Sequence, residues 1–108
     1  MASYLFEVGY TPQAWTTLMK NPQSRVEAVR PSIEALGGKI VCGYLTFGEY
    51  DLFVIVDGID NVSAASFAIA AAAGGAVRSI KTTPLLTPDE GTEAMRKAGT
   101  SAYRPPSS

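Results

Sequence analysis

Gly48, Tyr50 and Asp51 fall at one predicted hairpin, the glycine in its loop and the other two at the start of the strand that follows, and those two carry chemistry. Asp51 can act as a base or as an anchor for a cation, and Tyr50 can donate a hydrogen bond. Neighbours on an extended strand point to opposite faces, so the two meet one substrate only if the strand is irregular there. The bland reading gives each a structural task instead. Gly48 permits the turn, Tyr50 packs on the next strand, and Asp51 accepts a hydrogen bond from Thr46 or a turn N–H.

Tyr10 and Trp15 form a second pair, flanking the first strand-to-helix turn, where they either pack at the core rim or stack on a ligand. Glu7 is the one charge inside the first strand, and Arg78 and Lys81 are those inside the last. An ion pair between these strands is the structural alternative to a polar substrate site. Asp57 and Asp60 sit near a strand end, but helix capping accounts for Asp60, and no metal site is expected. There is no histidine, which excludes Ser-His-Asp and Cys-His mechanisms. The one cysteine, Cys42, excludes an intramolecular disulfide and a cysteine-rich zinc site; its strand-like surroundings favour burial over reactivity. Gly37-Gly38 and Gly74-Gly75 read as helix stops rather than phosphate loops. No residue is assigned as catalytic and no cofactor is expected.

The elements that must position these residues follow from periodicity. Tyr4 to Tyr10 is rich in aromatic and β-branched types and reads as a strand. Thr11 is an N-cap with Pro12 at the first helical position, and Trp15, Leu18 and Met19 follow at helical spacing. Asn21-Pro22 interrupts this helix. Helical spacing resumes at Val26, Val29, Ile33 and Leu36, with Pro31 predicted to bend or restart it.

Lys39 to Phe47 and Tyr50 to Asp57 form a predicted hairpin around Gly48-Glu49, a two-residue loop of type II′ with positive φ at Gly48. That register sets Thr46 opposite Asp51. It puts Val41, Leu45, Tyr50, Leu52, Val54 and Val56 on one face, and Ile40, Cys42, Tyr44, Thr46, Asp51, Phe53, Ile55 and Asp57 on the other. The run Leu52 to Val56 is apolar at consecutive positions, which implies cover on both faces.

Asp60-Asn61 caps an Ala-rich helix over residues 62 to 73, whose small side chains predict close helix contact and cover on more than one side. Ala76 to Thr83 is the last strand. Thr87 caps a C-terminal helix with Pro88 first and Asp89, Glu90 and Glu93 in its early turns. Residues 99 to 108 read as a disordered tail, leaving 1 to 98 as one domain.

Composition agrees with a globular domain: 108 residues, 46% hydrophobic, 18% charged, net charge −1. No basic cluster marks nucleic-acid binding. The Ala-rich segment is too short and too weakly apolar for a bilayer of roughly 30 Å. The N-terminus lacks a signal-peptide pattern, and cytoplasmic localisation is the expectation.

The order strand, helix, strand, strand, helix, strand predicts an α+β ferredoxin-like βαββαβ fold, a four-stranded antiparallel sheet with helices on one face and an extra C-terminal helix. A chain this short lacks cover for the other face, so a second copy is expected there.

Tyr4-Leu5-Phe6, Phe47-Gly48-Glu49-Tyr50-Asp51, Asp60-Asn61-Val62-Ser63-Ala64-Ala65 and Thr82-Thr83-Pro84-Leu85-Leu86-Thr87 together resemble the GYD domain family, named for the Gly-x-Tyr-Asp pattern. The resemblance covers residues 1 to 98. It implies a dimeric α+β barrel, in which a small-molecule pocket opens between sheet and helices, near Tyr10 and Trp15; the functional reading of the motif puts Tyr50 and Asp51 at a pocket mouth. It assigns no chemistry to them. Three functions stay open: a homo-oligomeric small-molecule-binding or accessory protein; a cofactor-independent isomerase, cyclase or oxygenase; and a purely structural oligomer.

Overall fold

A computed structural model describes residues 2–107. The elements are β1 (Ala2–Tyr10), α1 (Pro12–Lys20), α2 (Arg25–Ala35), β2 (Lys39–Leu45), β3 (Leu52–Ile59), α3 (Asn61–Ala73), β4 (Val77–Leu85) and α4 (Pro88–Gly99). The strands form one antiparallel sheet in the order β2-β3-β1-β4. This is the ferredoxin-like arrangement, with the outer helical segment split into α1 and α2.

The caps read from the sequence at Thr11, Asp60 and Thr87 are formed, their side chains accepting the N–H of Ala14, Ser63 and Glu90, and Ser24, not foreseen, caps α2 by accepting that of Glu27. Thr87 and Glu90 complete a reciprocal capping box, with the Thr87 N–H donating to Glu90 at 2.8 Å. Gly37 takes φ 87° at the end of α2. There Gly38 N–H donates to the Ile33 carbonyl and Gly37 N–H to that of Glu34, each at 3.0 Å, the Schellman pattern.

Alternation in β1 sends Tyr4, Phe6, Val8 and Tyr10 into the core, where they meet Leu52, Val54 and Val56 of β3 and Ile33, Ala64 and Phe67 of the helices. Phe6 and Phe67 meet edge to face, with ring centroids 5.0 Å apart.

Four expectations are corrected. First, α2 runs unbroken through Pro31. The carbonyl that loses its partner is that of Glu27, and both residues are exposed, so water satisfies it. Second, Ile40 pairs with Val56 but Cys42 pairs with Ile55, leaving Val41 as the extra residue of a β-bulge. The bulge exchanges the faces of the first half of β2. Ile40 enters the core while Val41 lies exposed, and Leu45 is exposed at the sheet end.

Third, the hairpin has no two-residue type II′ turn. The ladder stops at Leu45 and Leu52, although Thr46 N–H still donates to the Asp51 carbonyl at 2.7 Å. A wider connection needs no left-handed residue, and the positive-φ glycines among the described residues are Gly37, Gly58 and Gly75, not Gly48. Fourth, α3 is not covered on several sides within one chain. Ala64 and Phe67 are buried while Val62 and Ile69 are exposed.

The sheet face away from the helices carries Leu5, Cys42, Tyr44, Phe53 and Ile55, with Tyr44 stacked on Phe53 at 5.5 Å. Tyr44 is 62% exposed. No residue of α4 is buried, and its stripe Gly91, Ala94, Met95 and Ala98 recurs at helical spacing. The radius of gyration is 17.2 Å, against about 13 Å for a compact domain of this length. No helix among the described residues is long and apolar enough to cross a membrane.

Candidate functional site

The two longer helices over the sheet stand on different strands. α2 packs on β2 and α3 on β4, the two sheet edges, so the central strands β3 and β1 are left between them. Much of the wall on either side of this gap is short, Ser32 and Ala35 on α2 and Ser66, Ala70, Ala71 and Gly74 on α3, beside the larger Val29, Leu36 and Phe67. They do not fill it. The result is a cleft of about 530 Å³ floored by Val8, Leu52, Val54 and Val77, with Phe67 in its wall. Its size is that of a small-molecule site. The Ala-rich sequence of α3, read as a means of close helix contact, produces an opening instead, because the sheet fixes the helix spacing and small residues cannot bridge it.

Tyr10 and Arg25 bring the polar chemistry. Tyr10 ends β1 and Arg25 opens α2, and the chain order sheet-end, α1, turn, α2 brings both to the lining of the cleft. Burial raises the Tyr10 pKa above its ordinary value, and the Asp51 charge adds to this; the neighbouring Arg25 guanidinium offsets part of it. Tyr10 is therefore a neutral donor at physiological pH. Arg25 bonds the Gln23 side chain at 3.2 Å.

Trp15 stands edge-on to Tyr10 at 5.6 Å but does not line the cleft. It lines a neighbouring hollow of about 520 Å³ with Leu18, Met19, Val26, Tyr44 and Leu45. Arg25 and Leu52 border both spaces.

Gly48, Tyr50 and Asp51 are elsewhere, at the hairpin tip. An Asp51 carboxylate oxygen accepts the Tyr10 N–H at 2.8 Å and lies 3.8 Å from the Arg78 guanidinium. Arg78 also donates to the Glu49 carbonyl at 2.7 Å, and Thr46 Oγ1 donates to the Tyr50 carbonyl at 2.7 Å. Gly9 leaves the space that Arg78 occupies, since a Cβ there would lie 2.6 Å from Arg78 Cζ. These contacts tie β1, β3 and β4 together where the β1–β4 register shifts, between Gly9 and Tyr10. The arrangement is that of a structural knot, with the Asp51 side chain only 13% exposed.

Glu7 and Lys81 are direct partners across β1 and β4, though no ion pair closes between them, and Arg78 is drawn to the tip instead. Asp57 accepts the Ser3 hydroxyl and Asp60 caps α3. The Tyr4 hydroxyl donates to Asn61.

Of the candidate ligand residues Tyr10, Trp15, Tyr50 and Asp51, Tyr10 alone lines the cleft. Arg25 and the small residues of α2 and α3 were not legible as site residues. Charge at a helix start and alanine within a helix are ordinary locally, and only their convergence over the central strands distinguishes them.

Among comparisons with known proteins, the model of the GYD domain family matches residues 4–95. Neither the curated proteins nor the solved structures yield a match.

Proposed function

This chain belongs to the GYD domain family, and from that premise we propose that it is a homo-oligomeric protein that binds a small apolar molecule between α2 and α3. The observation that carries the reading is the cleft itself, open and apolar-floored, with alanine, serine and glycine along much of its wall. Homo-oligomerisation is supported by two surfaces that one chain leaves bare. The open sheet face presents Tyr44, exposed, with Leu5, Phe53 and Ile55 partly exposed beside it, and α4 presents Met95, 74% exposed. Apolar surface of this kind on an isolated chain marks an interface. A second copy, sheet to sheet, covers it.

A panel of short alkyl and aryl alcohols, amides, acids and amines, titrated into methyl-labelled protein, tests the ligand site. Binding should shift the methyl signals of Val8, Val54 and Ala71, and Ala71→Phe, which fills the cleft, should abolish it. A panel with no effect on these methyls overturns the reading and leaves the purely structural oligomer.

One observation favours a second reading, cofactor-independent catalysis. Tyr10 keeps its proton within an apolar cleft and so suits a proton donor. No carboxylate lines the cleft among the described residues to serve as base, so binding stands first.

A further inference from the structure

Resting on the cleft as a small-molecule site, we infer that its ligand is an amphipathic monocarboxylic acid, with its hydrocarbon body between α2 and α3 and its carboxylate bonded by Arg25 and the Tyr10 hydroxyl. Three observations lead there. Arg25 is half-buried at the cleft and forms no ion pair among the described residues, unlike Arg30 with Glu27, Arg78 with Asp51 and Arg96 with Glu93, while Arg104, also unpaired there, is exposed. Its side-chain hydrogen bond goes to a neutral group, the Gln23 amide oxygen at 3.2 Å, and the phenol of Tyr10, which lines the same cleft, is neutral too. A partly desolvated guanidinium with neutral partners attracts an anion more strongly than one already paired or fully in water.

Next, Tyr10 lines the same cleft as Arg25 and brings a second donor to it. The planar fork of arginine matches a carboxylate in two parallel hydrogen bonds. One cation and one phenol suit a monoanion; a phosphate dianion calls for further positive charge, and the cleft lining holds no lysine and no second arginine. Finally, the other polar side chains of the lining are Ser32 and Ser66, and the floor is Val8, Leu52 and Val54. The remainder of the ligand is therefore apolar. Arg25 is also the first residue of α2, where the helix dipole favours negative charge.

Calorimetric titration with decanoate and with decanamide tests this, because the two share chain length and differ in charge. The wild type should bind decanoate at least about tenfold more tightly than decanamide, the scale of a charge-assisted hydrogen bond. Arg25→Gln should erase the preference, Arg25→Lys should restore part of it, and Tyr10→Phe should reduce it. Recovery in the lysine variant separates charge from misfolding. Equal binding of both probes, or a preference that survives Arg25→Gln, overturns the acid assignment while the cleft stands as a ligand site. If neither probe binds and the wider panel is also silent, the site itself falls with it.

Discussion

The carboxylate of Asp51 accepts the backbone N–H of Tyr10 at 2.8 Å, where β1 changes register against β4. A register shift frees backbone groups from the ladder, and a buried N–H without a partner is costly. Asp51 supplies the missing acceptor from a residue distant in the chain. The same Tyr10 then turns its ring toward the cleft, so the hairpin tip sets the position of a site residue without touching the site.

Asp51→Ala should therefore destabilise the fold by about 1.5–3 kcal/mol, the range for hydrogen bonds to charged groups. Asp51→Asn keeps an acceptor oxygen and should lose distinctly less, since the 3.8 Å approach of Arg78 is long. Urea unfolding of the two variants decides it. Equal losses would mean that charge, not the Tyr10 N–H, is what Asp51 serves.

The glycine that names the motif and a glycine outside it should behave in opposite ways. A Cβ on Gly38 would meet Ile59 at 2.5 Å and Val56 at 2.9 Å inside the core, so Gly38→Ala should cost about 1–3 kcal/mol by overpacking. A Cβ on Gly48 meets nothing within 4 Å and its φ is not positive. Gly48→Ala should stay within about 0.5 kcal/mol of wild type. Thermal melts of the two variants provide the comparison, and a large loss in Gly48→Ala would restore the tight-turn reading.

Tyr10 makes stability fall in alkali. Burial raises its folded pKa above the ordinary 10.0, so above that pH the unfolded chain loses its proton first and is favoured. The contribution is complete below pH 10.0 and declines as pH climbs toward the folded value. Tyr10→Phe removes this dependence. Wild type and variant should converge in stability as pH rises past 10.0, and parallel curves would show that the phenol is not desolvated.

Charge placed on either bare surface should lower the assembly state. Phe53 faces away from the core and stacks on Tyr44, so Phe53→Asp should shift sedimentation toward the monomer at micromolar concentration while leaving the fold intact. Met95→Glu tests α4 in the same way and should show whether the helix contributes to the interface. Wild type sedimenting as a monomer would remove the proposed oligomer.

The amino-acid sequence determined what depends on near neighbours. Pro12 and Pro88 after threonine, Asp60 three residues before Ser63, and Gly37 after Leu36 each act through hydrogen bonds inside one turn, so type and spacing were enough to place the helix ends. The alternation of Tyr4, Phe6, Val8 and Tyr10 likewise decided which face of β1 is core. The bulge at Val41, the wide hairpin tip and the Asp51–Tyr10 bond belong to the tertiary structure alone, because each depends on how one strand sits against another. So does the cleft. Alanine and serine look alike in every helix, and they become part of a cavity wall only where the sheet sets α2 over one edge and α3 over the other.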